Sequence, residues 1–129
     1  MKALDTNVVL RLLLGDDPVQ SVLAEAIVQD RCWIGLTVLL EVAWVLGSRY
    51  RLSRAETAQV LRSLAAYGSV QLETRAAALW AIDRYDEGGD IADLLHVAAA
   101  RDAEAFVTFD QAIERSAGPD TPVSIETLR

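Results

Sequence analysis

The sequence predicts an α/β fold, an α/β/α sandwich around a central parallel sheet of four to five strands. Three observations predict it. Short β-like runs recur along the chain, helical patterns separate them, and no repeat, long linker or low-complexity segment breaks the alternation. With 129 residues, a single domain spanning 1–129 is expected, large enough to bury a core.

The strands are expected at residues 2–4, 32–34, 70–72, 105–108 and 123–125. Helical patterns cover 8–14 and 18–29 after the first strand, with Pro18 suited to a first helical turn. Residues 38–50 and 54–67 follow the second strand. Thr37 is placed to cap the first of these helices, and Ser53-Arg-Ala-Glu56 reads as a capping box for the other. After the third strand come 75–85, with Thr74 as its cap, and 91–101. A short helix follows Asp110, and Gly68 and Gly88-Gly89 mark stops or turns. Right-handed crossovers put the carboxyl ends of all parallel strands on one edge, where ligands of open sheets gather.

Asp5, Glu41 and Asp110 are expected to converge at that edge, and Asp93 joins them if its helix starts on that side. Asp5 follows the first strand, Asp110 ends the fourth, and Asp90 and Asp93 open the helix before it. Glu41 lies in T-V-L-L-E-V-A-W-V-L, one acid among eight apolar residues, where a buried carboxylate needs a partner, a proton or a metal. Each acid alone also has an ordinary explanation, because carboxylates at helix starts cap amides and complement the dipole. Asp90 reads mainly as such a cap. Together, Asp5, Glu41, Asp93 and Asp110 favour a hard divalent cation, Mg²⁺ or Mn²⁺, on oxygen ligands.

Other residues carry less. Cys32, the one cysteine, excludes an internal disulfide framework and reads as a packed thiol, consistent with a reducing cytoplasm. His96, the one histidine, reads as a packing or hydrogen-bonding group rather than a catalytic one, and a zinc site would want more His or Cys. Trp33, Trp44 and Trp80 sit at positions expected of core residues. Arg49, Arg51 and Arg54 bracket a turn, read either as a solvated basic loop or, for Arg49 and Arg51, as contacts to an RNA backbone. The net charge of −7 argues against binding nucleic acid through bulk charge, yet setting aside four of the nineteen acids leaves fifteen against twelve bases, or −3. Neither a signal-peptide pattern nor an apolar run long enough to cross a bilayer is read, so a cytoplasmic protein without membrane contact is expected.

The chain resembles PIN-domain ribonucleases, specifically VapC-type toxins of bacterial toxin–antitoxin pairs. The resemblance is carried by L-D-T-N at 4–7, L-L-E-V-A-W at 39–44, D-I-A-D-L-L-H at 90–96 and T-F-D at 108–110, and by the helix–turn–helix-like 46–56. It implies Asp5, Glu41, Asp93 and Asp110 as catalytic and metal-binding residues. Asp90 ranks below them, and Thr6, Asn7 and Thr108 are placed to orient the acids. It further implies Mg²⁺ or Mn²⁺ as cofactor, RNA as substrate, a cognate antitoxin, a homodimer, and operator DNA reached only through the antitoxin. Two other readings stand beside it: a noncatalytic module keeping the fold, and a small phosphatase or receiver-like domain. The latter is disfavoured because D-T-N-V lacks paired aspartates and Lys2 is the only lysine.

Overall fold

In the computed structural model, which describes residues 1–129, the chain divides into two compact units, Met1–Glu73 and Thr74–Arg129. In the first, the elements run β1 (Lys2–Ala3), α1 (Thr6–Leu14), α2 (Pro18–Ile27), β2 (Cys32–Ile34), α3 (Leu36–Ser48), α4 (Arg54–Ala66) and β3 (Val70–Leu72). The strands form a parallel sheet in the order β1-β2-β3, with Lys2 opposite Cys32 and Cys32 opposite Val70. Helices pack in sequence, α1 on α2, α1 on α3, α3 on α4, and α4 on β3. Val9, Cys32, Ile34, Leu39, Val42, Leu46, Leu61, Leu64 and Leu72 are fully buried. Cys32 is the inert thiol expected: burial pushes its pKa up, and its Sγ reaches only the Ser69 carbonyl, at 3.8 Å.

The second unit holds α5 (Arg75–Asp86), α6 (Ile91–Ala99), β4 (Phe106–Thr108), α7 (Gln111–Ala117) and β5 (Ile125–Thr127). β4 and β5 pair in parallel, Phe106 opposite Ile125. Val97, Ile113 and Val123 form a buried cluster on which Trp80, Phe106 and Ile125 pack. All five strands thus exist and every pairing is parallel, hydrogen-bonded as a set of three and a set of two rather than in one ladder. The last strand begins two residues later than expected. The Val123 carbonyl accepts from the Thr121 hydroxyl, and the ladder starts at the Ser124 carbonyl, which accepts from Phe106 N–H.

Helix entry follows the local chemistry. Asp5, Asp17, Asp90 and Asp110 each accept a backbone N–H at the N-cap of α1, α2, α6 and α7, and Ser53 with Glu56 completes the capping box of α4. Two expected caps differ. α3 starts before Thr37, with Gly35 at its N-cap and no capping side chain of its own. Thr74 does precede α5, but in the left-handed region (φ 42°) and without a side-chain cap bond. A β-branched residue seldom adopts that conformation, so Thr74 marks local strain.

Candidate functional site

Glu41 requires the first correction. Its apolar neighbours predicted a buried carboxylate, but its side chain is exposed. Thr37, Glu41, Trp44 and Ser48, spaced 4-3-4, form the open stripe of α3, while Leu39, Val42, Ala43 and Leu46 face the interior. Trp44 is likewise not core: it is 69% exposed. α3 is positioned from outside itself. The Glu73 carboxylate, at the carboxyl end of β3, accepts from the Leu36 N–H at 3.2 Å, and Glu73 N–H donates to the Ile34 carbonyl. Glu73 thus supplies the cap that Gly35 lacks and fixes the helix bearing Glu41. The signal for it was a strand-end acid in Q-L-E-T.

Asp5 is exposed at the end of the first strand, where Oδ1 accepts from Val8 N–H at 3.0 Å. This bond comes from the helix amide, so the orienting role expected of Thr6 and Asn7 is taken by the backbone. Asp5 lines a groove of about 270 Å³ between α1 and α2, with Asn7, Arg11, Gln20, Leu23 and Ile27 among its walls.

In the second unit, Asp90, Asp93 and Asp110 line one groove together with Gly88, Leu94 and Ser116. Asp90 Oδ2 accepts from Asp93 N–H at 2.9 Å, as its capping role requires. Thr108 Oγ1 accepts from Asp110 N–H and Asp110 Oδ1 from Ala112 N–H, both at 2.9 Å, so Thr108 holds the Asp110 backbone while the α7 amide holds its carboxylate. Gly89 is required at the groove's rim: a Cβ there would lie 2.7 Å from Leu94 Cδ1 and 3.2 Å from the Arg84 carbonyl. His96 is exposed rather than packed, and its charge counteracts those of the aspartates at Asp93.

Burial raises the Asp93 pKa, and the negative charges of Asp90 and Asp110 raise it further. The chain's ion pairs engage other acids, including Arg11 with Asp16, Arg101 with Asp102 and Arg129 with Glu114. Three carboxyl groups lining one groove, two of which bear electrostatically on Asp93, are a donor set suited to a hard divalent cation. No three His, Cys, Asp or Glu side chains are drawn close enough to form a ready-made metal site. The donor chemistry fits such an ion, and a closed cage is not present.

The raised pKa has a thermodynamic consequence. The folded chain holds the Asp93 proton more tightly than the unfolded chain, so stability falls as pH rises from the ordinary carboxyl range through the raised folded value. Above it, the ionised carboxylate carries a penalty. Asp93→Asn therefore raises the metal-free Tm at neutral pH by about 1–3 °C, a small gain because solvent screens this group, and the gain disappears in acid. Calorimetry at two pH values checks it; an Asn variant less stable at neutral pH contradicts it.

The PIN-domain family model matches residues 2–119. The chain belongs to the PIN-domain family. The match runs through both units and takes in Asp5, Glu41, Asp90, Asp93 and Asp110. PIN domains are a nuclease-type family, often metal-dependent ribonucleases, and generally use Mg²⁺ or Mn²⁺. No curated protein matches the chain. In this PIN protein no helix is long and apolar enough to cross a membrane.

Proposed function

We propose that this PIN protein is a Mg²⁺- or Mn²⁺-dependent endoribonuclease and the toxin of a toxin–antitoxin pair. The observation that carries the reading is the gathering of Asp90, Asp93 and Asp110 around one groove in a chain of the PIN family. The proposal treats 1–129 as one PIN domain, in which Asp5 and Asp93 are the main ligands and Glu41 and Asp110 complete the site directly or through water. That all four serve one cation is part of the proposal, supported by a family match that runs across both units.

When bound, the ion would supply an activated water and neutralise phosphate charge. The chain's own residues do the rest. Thr108 and the α7 amide hold Asp110, the Val8 amide holds Asp5, and Asp90 spends one oxygen on the α6 cap while its charge adds to that at Asp93. With water as the nucleophile, neither His96 nor Cys32 is needed as a catalytic group.

The proposed partners are an antitoxin, a second copy of the chain, and operator DNA reached only through the antitoxin, all in the cytoplasm. Support for the antitoxin comes from the Asp5 groove. Leu23 is among its walls, and Val19, Val22 and Leu23 of the same helix α2 are each more than 60% exposed. A basic side chain inserted there would meet Asp5. The test is incubation of the purified protein with RNA and, separately, with a small phosphate ester, each with and without Mg²⁺. Metal-dependent RNA cleavage is expected; ester hydrolysis without RNA cleavage, or neither, overturns the reading. Sequencing of RNA ends after brief induction then gives the target.

A further inference from the structure

The open stripe of α3 has a use that the carboxylates do not exhaust. Trp44 stands one turn after Glu41 on this stripe, and positions three apart on a helix place their Cβ atoms about 5–6 Å from each other. Its exposure of 69% leaves most of an indole in water on a helix whose other large side chains are largely packed. Beside it is a groove of about 420 Å³ lined by Trp44, Val45, Ser48 and Arg49.

The charge of this region opposes that of the whole chain. Residues 42–55 contain no acid and three arginines, Arg49, Arg51 and Arg54, within a molecule of net charge −7. Arg49 and Arg51 are exposed. The turn that carries them is held in place. Tyr50 Oη donates to Asp16, Leu52 N–H donates to the Leu46 carbonyl, and the capping box starts α4 immediately afterwards.

We propose that Trp44 and Arg49 form a seat for single-stranded RNA, a base stacking on the indole while the guanidinium meets the backbone phosphate. Single-stranded segments are the form of RNA whose bases are free to stack on aromatic side chains. An aromatic face beside a cationic groove is the arrangement that binds them without sequence preference. The acid-free arginine segment favours this polyanion as occupant. The seat extends along α3 from Glu41, so it deepens the ribonuclease reading and rests on it for its role, although the binding itself is independent of cleavage.

The experiment measures anisotropy of a labelled, short, mixed-sequence single-stranded RNA in chelator, where no metal-dependent cleavage proceeds, at two salt concentrations. The parent chain binds. Trp44→Ala weakens binding about tenfold or more, Trp44→Phe keeps most of the affinity, and Arg49→Ala flattens the salt dependence. RNA quenches the indole fluorescence of the parent but not that of Trp44→Phe, whose remaining Trp33 and Trp80 are partly buried. Light scattering on the same samples gives the oligomeric state. A parent that does not bind overturns the proposal, as does unchanged affinity in Trp44→Ala. Conversion of a dimer to a monomer by Trp44→Ala also overturns it, because the stripe then belongs to a second copy of the chain. Intact Trp44-dependent binding with no cleavage in Mg²⁺ would instead overturn the ribonuclease reading and leave the seat standing.

Discussion

On the proposed function, alanine at Asp93 is expected to lower metal-dependent RNA cleavage by at least about 100-fold, the scale that follows when a group that stabilises charge in the transition state is lost. Asp93 caps no helix in the structure, so its loss leaves the fold intact, with an unchanged circular dichroism spectrum. Asp5 needs a different substitution. It caps α1 through Val8 N–H, and alanine there would cost about 1 kcal/mol of stability in addition to any catalytic effect. Asparagine caps a helix about as well as aspartate but carries no charge. Asp5→Asn therefore separates the two roles: the proposal expects cleavage to fall as far as in Asp93→Ala while Tm stays nearly constant. Full activity in well-folded Asp5→Asn and Asp93→Ala proteins would remove both residues from the site.

A large stability loss is expected at Leu94, the residue after Asp93. Leu94 is fully buried, and its Cδ1 occupies the space where a side chain at Gly89 would go. Leu94→Ala leaves a cavity at the start of α6 and costs about 2–5 kcal/mol. Urea unfolding should show a lower midpoint with an unchanged slope. A loss below about 1 kcal/mol would mean that α6 is not anchored by this side chain. Gly89→Ala attacks the same contact from the other side, by overpacking, at about 1–3 kcal/mol. Both substitutions disturb the helix that presents Asp93, so cleavage should fall with stability in each.

Much of the fold could be read from the sequence because its elements carry strong local chemistry. C-W-I and V-Q-L became β2 and β3 at their expected residues, bounded by turn residues and buried on alternate or both faces. The capping box at Ser53 and the proline at the start of α2 were legible because both answer the unpaired amides of a first turn: Ser53 and Glu56 satisfy them, and Pro18 has no N–H to leave unpaired. The role of Glu73 was not legible. Its carboxylate caps a helix 37 positions earlier in the chain, a partnership that only β2–β3 pairing creates.

The site was legible in its residue types and less so in their environments. Asp90, Asp93 and Asp110 share a groove because a helix start and a strand end meet there; the parallel-strand reasoning placed Asp110 at that edge and let Asp93 join it. Glu41 and Trp44 were misread for one physical reason. Where eight of ten residues are apolar, periodicity no longer marks which stripe faces water. α3 leaves open the stripe that holds its one acid and its tryptophan, and an apolar count assigns both to the interior. Of the two roles read for His96, packing does not hold, because it lies on the exposed side of α6.

The proposal's central claim is that Asp5 and Asp93 serve the same cation. Calorimetric titration of the metal-free protein with Mn²⁺ tests it most directly, using the parent chain, Asp5→Asn and Asp93→Ala. The account predicts one site, or one coupled pair of sites, whose binding heat is lost in each single variant. Undiminished Mn²⁺ binding in either variant, or two independent sites each lost in only one of them, would contradict it.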